Sequence, residues 1–319
     1  MNGDDVFIRA VDRVEIVTLM DNYVDVLLES SEVVTRPPVT NNREISTNTL
    51  QAEHGLSLLV TVHEGEENHS VLLDTGYSRI GVPRNLEWLE IDPKWIETVV
   101  LSHGHMDHTG SLYDIFDCLD RPVPIVVHPE AFHAPRYLDM DGGQKMFFPC
   151  TLKRDDMADR GIEIIESEGP LLIANDMILV SGEVERTTPF EKGMPNAFLE
   201  RNGKEEKDLI RDDQCLVVHL KDKGLVVISG CAHTGIVNTI LYAKKITGVE
   251  KIHTVIGGFH LSGRAFEPII EKTIEALKEL DLKVIVPMHC TGWKAINRMS
   301  EAFPLSFVLN SVGSRFNLC

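Results

Sequence analysis

Apolar positions along the chain fall in short runs separated by glycine, proline and acidic turns, and these runs predict alternating strands and helices. Residues 14–19 read as an opening strand, with Asp21-Asn22 as its turn. Residues 56–62 and 70–73 read as two more strands about a turn at 64–68, and 84–91 as a short helix. A strand over 98–101, a helix over 112–119 and strands over 124–127 and 177–180 follow. Other stretches have no period. Residues 30–49, with Arg36-Pro37-Pro38 and Asn41-Asn42, form a polar loop that can serve as a lid or binding loop, or be a plain surface excursion. Residues 131–160, rich in Pro, Gly, Met and Phe, read as an insertion, and the charged run 200–213 as an exposed connection.

The second half is more regular. Apolar runs at 225–230, 254–258 and 284–288 end at Cys231 and His233, at His260, and at His289 and Cys290. Helical spacing over 237–246 and 266–280, the latter with Ile269, Ile270, Ile274 and Leu277, separates them. Alternation of strand and helix sets successive strands side by side with their ends together, so ligand-type residues should converge at one edge of an α/β fold.

The run at 98–101 ends in the same manner, at Ser102-His103-Gly104-His105-Met106-Asp107-His108-Thr109-Gly110. This H-x-H-x-D-H pattern places imidazole and carboxylate ligands in one turn of loop. His103 and His105, two apart in extended chain, can face the same way and grip one ion; Asp107 and His108 follow a turn and can reach a second. Two ions roughly 3.5–4 Å apart can activate a water, clamp a substrate oxygen and stabilise a leaving group.

That string resembles the signature of the metallo-β-lactamase superfamily. The segments Ala52-Glu53-His54-Gly55-Leu56-Ser57, Leu73-Asp74-Thr75-Gly76, Gly230-Cys231-Ala232-His233, Gly257-Gly258-Phe259-His260-Leu261 and His289-Cys290-Thr291-Gly292 look like its branch of dihydropterin-ribofuranosylaminobenzene phosphate synthases. The resemblance implies a four-layer αββα sandwich over a single domain spanning residues 1–319. It implies metal ligation by His103, His105, Asp107, His108, Cys231 and His289, with Asp74 orienting a ligand histidine from behind. Cys231 stands where the superfamily has a bridging aspartate, and a soft thiolate there tilts the site toward zinc or iron. Where the third histidine motif belongs stands Glu183, which can ligate or simply face solvent. His233 and His260 can replace that histidine, handle protons near the substrate as catalytic residues beside Asp107, or be structural.

For the substrate the expected contacts are His54, with Arg136 and Lys145 of the insertion beside Phe147 and Phe148, though surface charge and local core are the commoner fates of such residues. The expected activity is that of a metal-dependent hydrolase or transferase on a phosphorylated small molecule, the resemblance pointing to a pterin diphosphate. The expected cofactor is one or two zinc ions, with iron or manganese as alternatives. A diiron redox or gas-sensing protein and a non-catalytic metal-dependent binder are rival readings.

The net charge of −18, from 49 acids against 31 bases, argues against a nucleic-acid partner, since phosphate backbones are held by clustered Lys and Arg. Six scattered cysteines without a C-x-x-C pair do not make a disulfide scaffold. No apolar run approaches a membrane span and the start, MNGDDVFIRAVDR, lacks the order of a signal peptide, so the expectation is a cytoplasmic protein without a membrane partner, with a homo-oligomer left open.

Overall fold

The computed structural model describes residues 6–41, 44–45, 48–119, 121–140 and 142–319. Parts of the polar stretch 30–49, Asn42 among them, and the first five residues therefore lie outside the described residues. Two sheets face each other. One has eight strands, in the order Ile164–Glu166, Ile125–Val127, Ile96–Val100, Glu67–Leu73, Ser57–Glu64, Arg13–Met20, Arg315–Leu318 and Val34–Thr35. The other has seven: Leu171–Ile173, Ile178–Val180, Cys215–Leu220, Gly224–Ser229, Ile252–Gly258 and Val284–Met288 in that order, with Ala10–Val11 parallel to Cys215–Leu220.

Alternate side chains decide which layer each strand face meets. Ile16, Val60, Val71 and Val100 of the first sheet pack on Val180, Val218, Val226 and Ile256 of the second, forming the central core. Leu59, Leu72 and Val99 point the other way, onto Val82 and Leu86 of helix Gly81–Trp88 and Ile115 of helix Leu112–Cys118. Val227, Val255 and Ile285 likewise meet Ile240, Ile274 and Met299 of helices Ile236–Thr247, Ile270–Lys278 and Trp293–Ala302. The result is the αββα sandwich. Its strands carry unbroken apolar runs because both faces are covered, as in Gly224–Ser229, where every residue is buried. Each fully buried aliphatic side chain contributes about 1.5–3 kcal/mol, so the three cores dominate stability and leave the strand-end loops free to carry chemistry. Among the described residues no helix is long and apolar enough to cross a membrane.

Three sequence expectations change. The turn at 64–68 is tighter, because Glu64 pairs with Glu67 across Gly65-Glu66 and the next strand begins at Glu67. The insertion 131–160 is not irregular: Arg136–Met140 and Gln144–Phe147 form a hairpin whose first strand pairs with Ala197–Arg201, itself paired with Lys204–Lys207. Every residue of Gln144–Phe147 and Lys204–Lys207 is exposed, so no alternation marks these strands. The run 200–213 is no mere exposed connection either, since Asp208, Asp212 and Asp213 are buried.

Candidate metal centre

After Ile96–Val100 the chain passes through Leu101–His105 into the short helix Met106–Thr109. Gly224–Ser229, Ile252–Gly258 and Val284–Met288 are parallel neighbours in the facing sheet, so their following loops emerge together. A Cβ on Gly230 would come within 2.0 Å of Ser102 Oγ, so only glycine lets the Cys231 loop approach the histidine loop. Asp74, Ala232, His260 and His289 all hold positive φ, at 60°, 53°, 43° and 52°. Four positive-φ residues thus stand around the ligand-type side chains, where such strain accords with a functional site.

The ligand-type atoms gather in three overlapping groups: His103, His105 and His233; Asp107, His108, Cys231 and His289; and Cys231, His233 and His260. In the first, His103 Nε2 lies 3.0 Å from His105 Nδ1 and 3.1 Å from His233 Nε2. Burial and the neighbouring imidazoles hold His103 and His233 well below the ordinary histidine pKa, and burial with the Arg136 charge brings His105 down to about 4. Neutral imidazoles facing at such distances suit a shared cation, which accepts all their lone pairs.

In the second group His108 Nε2 is 3.1 Å from Cys231 Sγ, and His289 Nε2 is 3.3 Å from Asp107 Oδ2. Burial opposes charge on both acid and base here. It is outweighed at Asp107 by His108 and His289, which lower its pKa, and at His108 by Asp74 and Asp107, which lift it to about 9. His289 Nε2 is buried with no hydrogen-bond partner. An orphaned, buried imidazole nitrogen beside a carboxylate and a thiol fits a metal ion, and the imidazole, carboxylate and thiol set is that of zinc or another borderline transition ion.

Asp74 stands behind the ligands. Its Oδ2 is 2.6 Å from His108 Nδ1 and accepts from Ser102 Oγ at 2.6 Å, while Oδ1 accepts from the Ser102 amide at 2.7 Å. With a metal bound and Nε2 deprotonated, that contact would keep the remaining proton on Nδ1 and leave Nε2 free on the side of Cys231. Asp74→Asn should weaken metal retention about 10–100-fold in a chelator competition, with the fold intact by circular dichroism.

The other residues singled out in the sequence divide. His54 lies at the mouth, Nδ1 3.1 Å from Asn22 Nδ2, Nε2 3.7 Å from Asp107 Oδ2 and its ring 5.0 Å from that of His289. Phe148 stacks on His105 with ring centroids 4.5 Å apart. Glu183 falls outside all three groups, its carboxylate 3.1 Å from Arg211 Nη1, so the residue brought to His103 and His105 is His233. Lys145 is engaged on the exposed hairpin by Glu205 at 2.7 Å and by the Tyr137 hydroxyl. Arg136 is not open to a substrate either: 4 % exposed, it donates to Asp212 through both terminal nitrogens, at 3.1 and 2.7 Å.

Asp212-Asp213-Gln214 carries a role the sequence did not suggest. Asp212 accepts from the Gly104 amide at 2.8 Å, and Asp213 from the Thr234 amide at 2.7 Å. Gln214 donates through its amide to Ser102 O and through Nε2 to Leu101 O. Three consecutive residues thus tie the loop of His103 and His105 to the loop of His233. Asp21 and Asn22 do likewise for His289, accepting its amide at 2.9 Å and facing its Nδ1 at 3.2 Å. Their only sequence signal is a pair of short acids or amides at a strand boundary.

Comparison with known proteins agrees with this architecture. A family profile for the metallo-β-lactamase superfamily matches residues 52–289. The chain is 35% identical over 258 residues to 7,8-dihydropterin-6-methyl-4-(β-D-ribofuranosyl)-aminobenzene-5'-phosphate synthase of Methanocaldococcus jannaschii, covering 80% of this chain and 87% of that one. An uncharacterised protein of the same organism is 34% identical over 266 residues, with 82% and 92% covered. A solved structure of a metal-dependent hydrolase of the β-lactamase superfamily superposes with a TM-score of 0.70 at 28% identity, covering 96% of this chain and 98% of the other. The sandwich, the matched residues and these relatives together show that the chain belongs to the metallo-β-lactamase superfamily.

Proposed function

We propose that this protein is a metal-dependent enzyme acting on a phosphorylated small molecule of the pterin diphosphate class. Two ion positions carry it, one held by His103, His105 and His233, the other by Asp107, His108, Cys231 and His289. The observation that supports this reading is the meeting of those side chains from three strand-end loops of two sheets at one mouth. The substrate class rests on the likeness to the M. jannaschii synthase, whose name specifies a pterin and an aminobenzene phosphate. Zinc is the expected ion, with iron or manganese as alternatives for the same ligands.

Bound there, the ions supply Lewis-acid stabilisation of a departing phosphate or diphosphate. The chain does the rest. Asp107, held ionised by the imidazoles around it, can accept a hydrogen bond from the attacking group and orient it, and the more exposed His54 beside it at the mouth can take up the proton and pass it to solvent. The other candidate ligand side chains are buried, which limits the access of water to them.

Turnover on a pterin diphosphate with an arylamine acceptor, on a cyclic nucleotide and on a generic phosphodiester tests this. Turnover on the pterin diphosphate, abolished by a chelator and restored by added metal, is expected. Turnover on none of the three by metal-loaded protein, or turnover indifferent to chelation, would overturn the reading.

A further inference from the structure

A cavity of about 200 Å³ opens beside the ligand cluster, reached past His233 and His260 and walled by Phe190, Phe266 and Ile269, with the exposed Lys192 also lining it. It is smaller than the roughly 300–1,000 Å³ of sites that enclose a whole drug-sized ligand, so it suits one ring-sized group of a larger substrate. Its wall is aromatic: the Phe266 ring meets His260 edge-on at 4.6 Å, and the His260 and His233 rings lie 4.2 Å apart.

Two polar atoms of its lining residues are unspent. Nδ1 of His233, whose side chain is 3 % exposed as a residue, and Nδ1 of His260 are both buried with no hydrogen-bond partner. Buried ring nitrogens without partners call for a ligand that donates or accepts there. The single acid of the lining, Glu191, is turned to another purpose: its carboxylate accepts from the Val237 and Asn238 amides and from Thr188 Oγ1 at the start of helix Ile236–Thr247. Lys192 has no carboxylate partner among the described residues. Arg186, within 3.4 Å of the position a Gly193 Cβ would take, gives one nitrogen to Leu209 O and leaves Nε unpartnered. Among the described residues Lys192 is therefore an uncompensated cation in the lining, with Glu191 occupied at the helix start.

We infer that this cavity seats the heteroaromatic ring of a substrate whose negative group lies beside the ligand cluster and extends toward Lys192, the ring resting against Phe190 and Phe266 with its polar edge toward His233 and His260. The inference rests on the enzyme reading above and adds which part of the substrate is held, and where. An aliphatic phosphate offers nothing to the aromatic wall, and a neutral ring nothing to the lysine.

Fluorescence titration of the metal-loaded protein with pterin-6-carboxylate, and with uncharged pterin as control, tests it without turnover. The wild type should bind the carboxylate more tightly than pterin. Phe266→Ala, and Phe266→Leu where alanine unfolds the loop, should weaken both probes about tenfold. Lys192→Glu, on the surface and clear of the fold, should weaken only the carboxylate, about tenfold at low salt and less at high salt. Metal content should not change in any variant. No binding by the wild type, or unchanged binding in the Phe266 and Lys192 variants, would overturn the inference. If that occurs while the pterin diphosphate is still turned over, the cavity assignment alone fails; absent turnover with intact probe binding removes the enzyme reading instead.

Discussion

Replacing His233 by alanine should remove one of two tightly held ions and slow turnover by at least about a hundredfold. The expectation follows from geometry. His103 and His105 alone would be two ligands, short of the three or four protein ligands that hold a borderline transition ion, and in the proposed site His233 Nε2, 3.1 Å from His103 Nε2, is the third. Loss of one ion removes half of a two-ion clamp, which supplies several kcal/mol of transition-state stabilisation, and each 1.4 kcal/mol or so is a factor of about ten in rate. Glu183→Gln is the matching control. Its carboxylate is spent on Arg211, so metal content and rate should stay at wild-type levels. Retention of both ions by His233→Ala, or loss of one by Glu183→Gln, would reverse the assignment.

The second large effect concerns stability. Asp212→Ala should destabilise the fold by about 3–5 kcal/mol, read as a lower urea midpoint, because it strands the buried guanidinium of Arg136. Burial works against that charge, and Asp212 and Asp208 are what keep it. Asp208 remains at 3.4 Å from Nε, which sets the expectation at the lower end of that range. The same substitution frees the Gly104 amide, so metal retention should fall together with stability. Asp212→Asn separates the two: the amide oxygen can still accept from Gly104, so it should lose stability while retaining more metal than the alanine variant. Equal stability of Asp212→Ala and wild type would show that this buried pair contributes nothing net.

Much of this site was legible in the residues themselves. The H-x-H-x-D-H string needs only local chain to bring His103, His105, Asp107 and His108 together, and Asp74 precedes a glycine at the end of a strand beside it. The α/β character followed from alternating strand and helix signals, and the αββα order from the superfamily resemblance alone. What escaped depends on the meeting of the two sheets. Glu183 and His233 both follow apolar strands in the sequence, and only the packing of the 231–234 loop against Ser102 decides between them. Arg136 and Lys145 looked alike as cations in a stretch without period, yet one is buried against two aspartates and the other lies on an exposed hairpin. Asp212 and Asp213 were hidden in a charged run because burial of an acid is set by its partners, here Arg136, Gly104 and Thr234, which are distant in sequence.

The proposed chemistry rests on two ions held by this set of side chains. The most direct measurement is elemental analysis of the untreated, purified protein after exhaustive dialysis. Two transition-metal ions per chain are expected, falling to one in His233→Ala; a protein that retains no transition metal would contradict the account.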